Sequence, residues 1–460
     1  MKEVYYLFSK LQSFAGGIYP PHRKHLTENR KIEICKAPDV VTIPLQQHIG
    51  APCEALVKKG DQVKLGQKIG QPLGFVSAPV HSSVSGVVQS IEMVDLPNGS
   101  RCSAIVIQND GKDTPDESLR HGNVEDLSGE ELKNIVMEAG IVGMGGACFP
   151  THVKLSPPEG KKIDLIILNG AECEPYLTSD HRLMLEYPDD IIYGMKTIMK
   201  ILGVSQGCIG IEDNKPDAIE TMKAAAKNEK NIKVIGLRTK YPQGAEKQLI
   251  YAITGRQVPS GGLPIDIGVE VNNVGTAVAI ARAVRTGLPL YQKMVTVSGE
   301  AVKEPKNLLV RLGTSFREVI DCCGGWTEEP AKVICGGPIM GTAQHTLDIP
   351  VTKGTSGILL FSEKEAAQSD PSNCIRCARC ISVCPIHLLP LNISAQSLRG
   401  NYDETEKLHA LDCIECGSCS FICPASRPLL QSILVAKKEI IASRKQKAQA
   451  NKQAENSDNR

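Results

Sequence analysis

The chain has almost no net charge, few aromatic residues and no long apolar run. Its 460 residues carry 52 Lys and Arg against 51 Asp and Glu, a formal net charge of +1. That balance excludes a general nucleic-acid-coating or membrane-coating surface, and no nucleic-acid partner is expected. No apolar stretch approaches the roughly 20 residues that cross a bilayer. The opening "MKEVYYLFSKLQSF" turns polar too early for a secretory h-region. The expectation is a chain with no transmembrane segment that stays in the cytoplasm, where its thiols are reduced. Aromatics make up only 4% of residues, with 1 Trp and 7 Phe. What the chain does have is 41 Gly, 28 Pro and 17 Cys, with 42% hydrophobic and 22% charged residues. A chain of this length buries several cores and holds about three domains.

Residues 40–110 read as short strands, "VVTIPL", "GVVQSI" and "AIVIQN", between Gly, Pro and Asp turns. "APCEALVKKGDQVKLGQKIG" with "APVHSSVSGVVQSIE" resembles the barrel-sandwich domain of biotinyl and lipoyl carriers. Its hairpin reads "PVHSSVSG" where carriers place the modified lysine, so no covalent swinging arm is expected. His81 is expected on the hairpin surface. From about 125 to 290 the pattern alternates: helical "GEELKNIVMEAG", apolar strand "IDLIILNG", helical "DDIIYGMKTIMKIL", strand "GCIGIE", helical "PDAIETMKAAAKN" and strand "IKVIGL". This is the β-α-β alternation of a mainly parallel sheet covered by helices, which binds ligands at the carboxyl ends of its strands. Residues 293–342 form a small β-rich module with one helix, "TSFREVIDCCGG", whose Cys322 and Cys323 are expected to be buried or idle thiols. The terminal "KKEIIASRKQKAQANKQAENSDNR" is polar and is expected to be a frayed helix running into disorder.

"CIRCARCISVCP" and "CIECGSCSFICP" are two copies of Cys-x2-Cys-x2-Cys-x3-Cys-Pro. Three closely spaced thiolates grip three irons of a cubane while the fourth cysteine reaches the neighbouring cluster. The spacing predicts one [4Fe-4S] cluster on Cys374, Cys377, Cys380 and Cys423, and another on Cys413, Cys416, Cys419 and Cys384. A pair of zinc sites is the other reading of eight thiols, although zinc modules group their ligands in pairs and need neither the third cysteine nor the proline. The helical segment between the copies predicts a helical two-cluster ferredoxin module. A second motif, "GIVGMGGACFPTHVKL" at residues 140–155, lets backbone N–H groups approach a ligand closely, a phosphate in particular. A plain tight turn is the alternative. Phe149, an aromatic in a glycine-rich loop of a Phe-poor chain, is expected to stack on a ring. Clusters pass one electron at a time, so joining them to a nicotinamide calls for a flavin.

"GMGGACFPTHVKL", "NGAECEP" with "SDHRLMLE", "YPQGAEKQLI" and "VNNVGTA" stand in the order and approximate spacing of motifs of the NADH-oxidising flavoprotein subunit of respiratory complex I. With the barrel, the opening "FAGGIYPPHRKHLT" and the doubled cysteine motif, the chain up to its tail resembles the RnfC family of ion-translocating Rnf electron-transport complexes. The resemblance implies a multidomain α/β protein. Its parts would be an N-terminal region with a β barrel-sandwich hybrid (1–115), an α/β FMN- and NAD(H)-binding domain (120–290) and a β-grasp-like SLBB module (291–362). A helical ferredoxin domain with two [4Fe-4S] clusters (363–430) and a polar, disordered tail (431–460) would follow. By motif position it implies that Gly143, Gly145, Gly146 and Lys154 hold the FMN phosphate side. Asn169, Glu172, Gly244, Asn272, Asn273 and Thr276 would surround the rest. Phe149 and Glu174 would face the nicotinamide nucleotide, with Glu246 as a further acidic residue of the site. Lys154 also reads as a surface lysine, and Asn272 with Asn273 as helix caps. Met144 stands where the complex I pattern has arginine, Ala171 where it has aspartate and Ala245 where it has glutamate.

The implied activity is electron transfer between NAD(H), FMN, the two clusters and partner subunits. The implied partners are other Rnf subunits, including a ferredoxin-like subunit and integral membrane subunits, with the chain peripheral on the cytoplasmic face of the inner membrane. Two other readings stand beside it. One is the cobalamin reductase of propanediol-utilising microcompartments, in which the glycine-rich stretch lies close to the N-terminus with no preceding β domain. The other is a nonenzymatic iron–sulfur electron-wire or scaffold subunit.

Overall fold

The computed structural model describes residues 11–118 and 121–458, with side chains described as far as 450. Alternating apolar residues build the N-terminal barrel-sandwich from two small sheets. One orders Val40–Pro44, Arg101–Asn109, Gly86–Asp95 and Gln62–Val63; the other orders Cys53–Ala55, Lys68–Pro72 and Val80–His81. Val41, Ile43, Ile69, Val80, Val88, Ile105 and Ile107 close the core between them. The hairpin that carriers leave free is here a buried joint. Ser82, Ser83 and Ser85 are buried, and Ser83 Oγ donates to Leu312 O at 2.5 Å.

His81 is therefore not a surface histidine. It is 2% exposed, and neither ring nitrogen has a hydrogen-bond partner. The neighbouring domain covers it: a Cβ added at Gly140 would lie 3.2 Å from His81 Cε1. Burial, then the Lys353 and Lys68 cations, hold its pKa well below the ordinary value and keep the ring neutral.

The central domain is a four-stranded, all-parallel sheet ordered Ile232–Leu237, Gly207–Glu212, Leu165–Gly170, Val269–Asn273. Strand Gly207–Glu212 is buried throughout, as its continuous apolar run requires of a sheet covered on both faces. The chain leaves strand Leu165–Gly170 toward one edge and returns as Val269–Asn273 on its other side. That reversal opens a crevice at the carboxyl ends of these two strands. Helices Pro188–Leu202 and Val274–Thr286 pack closely over the sheet, and a Cβ at Gly194 would come within 2.1 Å of Ala277 O.

The third module is a six-stranded sheet ordered Ile32–Ile34, Lys306–Arg311, Gln292–Ser298, Gly357–Phe361, Lys332–Cys335, Thr342–Gln344. Its edge strand comes from the N-terminal segment. Before entering the barrel, that segment bridges Gln12 to Leu237 and Ile18 to Tyr241, then pairs Ile32–Ile34 in parallel with residues 307–309. It laces three domains together. The lacing brings Cys35 beside the end of helix Phe316–Asp321, where it is disulfide-bonded to Cys322. The expectation of idle, reduced thiols fails for Cys322, while Cys323 is free and buried.

The C-terminal domain wraps short helices, among them Arg379–Ser382, Pro390–Ser397, Tyr402–Lys407 and Ser418–Phe421, around helix Leu429–Asp458. The first turns of this helix, read in the sequence as the start of a frayed one, are docked on the domain. Ile433, Ala436 and Ile440 are buried, Lys437 pairs with Glu415, and Arg444 pairs with Glu406. A narrow apolar stripe docks the helix even though its mean composition is polar. Among the described residues, no helix is long and apolar enough to cross a membrane.

Candidate functional site

A cleft of about 1610 Å³ opens at the sheet's crevice and gathers the predicted residues. Gly143, Gly145, Gly146, Phe149, Lys154, Asn169, Glu172, Glu174, Gly244, Glu246, Asn272 and Asn273 all line it. Thr276 does not line it. Its hydroxyl accepts the Met144 N–H at 3.1 Å, so it holds the glycine-rich loop from behind.

That loop is a closed excursion between Val142 and Pro150, which bridge each other, with Gly143 N–H donating to Phe149 O at 2.9 Å. Lys293 Nζ donates to Met144 O at 3.3 Å. The loop is thereby pinned at Met144, with Gly145 to Ala147 exposed. None of Gly143, Gly145 and Gly146 has a positive φ, whereas Cys148 has φ 54°. These glycines matter for the space they leave. A Cβ at Gly145 would lie 2.8 Å from Asn273 Nδ2, and one at Gly146 would meet nothing within 4 Å.

Asn273 caps helix Val274–Thr286, its Oδ1 accepting from Gly275 N–H at 2.7 Å, so the positive end of a 13-residue helix faces the cleft. Its Nδ2 donates to Asp180 at 2.7 Å. Burial and the adjacent Glu172 push Asp180 up to about 6. Asn169 joins strand end to loop, donating to Gly244 O at 2.8 Å and accepting from Ala171 N–H at 3.1 Å.

The loop after strand Leu165–Gly170 is held in an unusual path, with Glu172 at φ 47° and Tyr176 at φ 66°. Lys24, from the N-terminal lace, fixes it. Its buried ammonium donates to Glu172 O at 2.8 Å, Glu174 O at 3.0 Å and Leu177 O at 2.5 Å. The Glu172 carboxylate accepts from Asp180 N–H at 2.7 Å and His181 N–H at 3.2 Å, satisfying the start of helix Ser179–Glu186. The Glu174 carboxylate accepts from Ile339 N–H at 3.1 Å and Met340 N–H at 3.0 Å of the third module, and lies 3.4 Å from Tyr241 Oη. Burial raises its pKa.

Lys154 is not a free surface lysine. It donates to Val271 O and pairs with Glu270 at 3.3 Å and Glu246 at 3.6 Å. Burial opposes its charge, but the two carboxylates outweigh burial and raise its pKa. Glu270, buried beneath it and bonded to Asn272 at 3.3 Å, is pushed up to about 7 by burial against the pull of Lys154. Sequence reasoning missed Glu270 and Lys24. Glu270 had a signal, a lone carboxylate in the apolar strand "VEV" just before "NN", since a charge buried there needs a partner.

The eight motif cysteines fall into two sets. Cys374, Cys377, Cys380 and Cys423 line one small cavity with Leu391 and Leu429. Cys384, Cys413, Cys416 and Cys419 are buried or half-buried. Burial, and then the neighbouring sulfurs of the same set, push Cys413 up to about 11 and Cys419 up to about 12. Backbone N–H groups point at the sulfurs, Leu388 N to Cys384 Sγ at 3.3 Å, Glu415 N to Cys413 Sγ at 3.4 Å and Arg376 N to Cys374 Sγ at 3.4 Å. Among the described residues, no three His, Cys, Asp or Glu side chains converge as a single ion would require. Two all-thiol sets with N–H···S bonds suit cubane clusters. Ile414 and Cys416 line the cleft of the central domain, and Tyr241 Oη, buried at its wall, donates to Cys416 O at 2.8 Å.

A nucleotide cleft that shares a wall with one tetrathiol set, with a second set in the same small domain, defines a flavin- and iron–sulfur-linked electron-transfer protein. The family comparisons agree. Residues 136–282 match the Nuo51 FMN-binding domain, 12–112 the RnfC barrel sandwich hybrid domain, 294–343 the SLBB domain and 366–424 a 4Fe-4S dicluster domain. The chain is 55% identical over 434 residues to the C subunit of the Na(+)-translocating ferredoxin:NAD(+) oxidoreductase complex of Acetobacterium woodii, covering 94% of this chain and 98% of that protein. It is 53% identical to the proton-translocating counterpart of Clostridium ljungdahlii, covering 93% and 94%. It is 42% identical to the C subunit of the ion-translocating oxidoreductase complex of Rhodobacter capsulatus, covering 96% and 86%. The chain belongs to the RnfC family, the C subunits of ion-translocating oxidoreductase complexes. Its fold is also similar to a chain of an NAD+-reducing [NiFe]-hydrogenase, with TM-score 0.50 and 20% identity over 70% of this chain and 62% of that one.

Proposed function

We propose that this chain is the NAD(H)-linked electron-transfer subunit of an ion-translocating ferredoxin:NAD oxidoreductase complex. It is peripheral on the cytoplasmic face of the membrane and joins other Rnf subunits, among them a ferredoxin-like subunit and integral membrane subunits. When bound, FMN exchanges hydride with nicotinamide and single electrons with the clusters. The observation that carries the reading is the shared wall: Cys416, a member of one tetrathiol set, lines the same cleft as the glycine-rich loop.

Gly143, Gly145, Gly146 and Lys154 are assigned to the FMN phosphate side. There Lys154 stays cationic under its two carboxylates, and the loop is pinned at Met144 by Thr276 and Lys293. Asn169, Glu172, Gly244, Asn272 and Asn273 shape the remaining wall. Phe149, Glu174 and Glu246 are assigned to the nicotinamide side. Cys374, Cys377, Cys380 and Cys423 are assigned to one [4Fe-4S] cluster, and Cys384, Cys413, Cys416 and Cys419 to the other.

Cofactor analysis of anaerobically purified protein tests the reading. The expected result is one FMN and about eight irons per chain, with NADH-dependent reduction of a dye that accepts from flavin. Full iron with no flavin and no dye reduction would overturn it in favour of an electron-wire scaffold.

A further inference from the structure

The two tetrathiol sets differ in what covers them. The set containing Cys416 abuts the cleft, whereas residues 371–379, which carry Cys374 and Cys377, are all exposed. Ile375 at this rim is 69% exposed. Phe421, 49% exposed, ends helix Ser418–Phe421, which packs on helix Arg379–Ser382. Large apolar side chains standing in water beside a redox centre ask for a cover.

The charges around them have one sign. Arg376 and Arg379 are exposed, and Arg427 lines the same small cavity while donating to Ser372 O at 3.3 Å. Among the described residues the ion pairs of this domain are Lys407–Glu404, His409–Asp412, Lys437–Glu415 and Arg444–Glu406; Arg376 and Arg379 take part in none of them. From residue 371 to residue 402 the sequence holds no Asp or Glu. Asp370 and Asp403 bound this stretch.

We propose that this face is the port at which an acidic iron–sulfur protein docks and exchanges electrons with the cluster held by Cys374, Cys377, Cys380 and Cys423. The proposal rests on the electron-transfer reading above and adds to it the port and the chemistry of its occupant. An apolar centre rimmed by unpaired arginines suits a transient, electrostatically steered encounter, in which attraction sets the association rate and salt weakens it. The opposite end of the domain is closed against the cleft, so this set is the one an incoming protein reaches.

The test uses the full chain with its flavin and clusters, and as probe a soluble, acidic 2[4Fe-4S] ferredoxin. Binding is measured directly at about 50 mM and about 500 mM salt, alongside oxidation of the reduced probe by NAD+. Two reduced probe molecules each give one electron, and NAD+ takes both with one proton. The expected wild-type affinity falls about tenfold or more with salt. In the Arg376→Glu, Arg379→Glu double variant it is already about tenfold weaker at low salt and changes little at high salt. Iron, flavin and NADH-dependent dye reduction stay at wild-type levels. If the glutamate pair loses iron, the Arg376→Gln, Arg379→Gln pair decides, with an intermediate loss expected. Equal affinity in wild type and variants, or affinity indifferent to salt, overturns the port. Absence of dye reduction in the wild type would instead overturn the underlying function.

Discussion

The two cysteine motifs are near copies, yet the sets they form meet opposite surroundings. Cys384, Cys413, Cys416 and Cys419 are packed between helix Leu429–Asp458 and the cleft, and Tyr241 and Lys437 bond the carbonyls of Cys416 and Cys413. Cys374 and Cys377 stand in solvent beside unpaired arginines. The repeat supplies the same thiol donors twice, and the chain packed around each copy gives it a role, inner toward the nucleotide cleft and outer toward a partner. The inner set also depends on residues far away in sequence. Lys24 holds the loop carrying Glu174, and the Glu174 carboxylate and Cys416 O both meet the Tyr241 hydroxyl.

That dependence is the place to break the comparison. Lys24→Met leaves three buried or part-buried carbonyls without their donor, at about 1–3 kcal/mol each, so a loss of roughly 3 kcal/mol is expected in denaturant unfolding. Flavin occupancy should fall and the inner cluster's EPR signal should change, while the outer signal stays. Unchanged flavin together with two unchanged signals would mean that the inner set is independent of the cleft.

Gly145→Val sharpens the contrast from the other side. Its Cβ would press on Asn273 at 2.8–3.1 Å and disturb the cap of helix Val274–Thr286. FMN binding should weaken about a hundredfold, about 2.7 kcal/mol, with both cluster signals retained. Full flavin occupancy in the variant would remove the loop from the phosphate site.

The smallest effect on the cofactors is expected from Glu270→Gln. Burial raises the folded-state pKa of Glu270 from 4.5 to about 7, so the protonated form is the one that favours folding. Its contribution is fully present below about 4.5 and is lost as the pH rises through about 7. Across that window the stability of Glu270→Gln relative to wild type should rise by about 3 kcal/mol, measured by unfolding at each pH, with neither cluster signal altered. A pH-independent difference would place the cost of burying this carboxylate elsewhere.

Much of this arrangement is local and was therefore legible in the sequence. The cysteine spacing, the alternating strands of the barrel and the β-α-β run are short-range patterns, and the helices and strands form where those patterns lie. The motif glycines and asparagines reach one cleft because strand ends of a parallel sheet converge at the reversal in strand order. What escaped is non-local. No periodicity announces that Lys24 will reach carbonyls some 150 positions away, that Cys35 will meet Cys322, or that His81 will be roofed by Gly140. The docking of the final helix escapes for a different reason. Its stripe of Ile433, Ala436 and Ile440 is too sparse to lift a polar average, and only the helices it packs against make it a core element.

The central claim is that each cluster takes three cysteines from one motif and the fourth from the other, and Cys423→Ser tests it most directly. Cys423 belongs to the second motif in sequence but lines the cavity of Cys374, Cys377 and Cys380. A hydroxyl is a poor replacement for thiolate on iron. Low-temperature EPR of Cys423→Ser, Cys374→Ser and Cys413→Ser should show the first two losing the same outer signal, or degrading it to a three-iron form, while the inner signal persists. NADH-dependent reduction of a dye accepting from flavin should continue in both. If Cys423→Ser instead loses the signal that Cys413→Ser loses, the crossed arrangement, and with it the division into inner and outer clusters, is wrong.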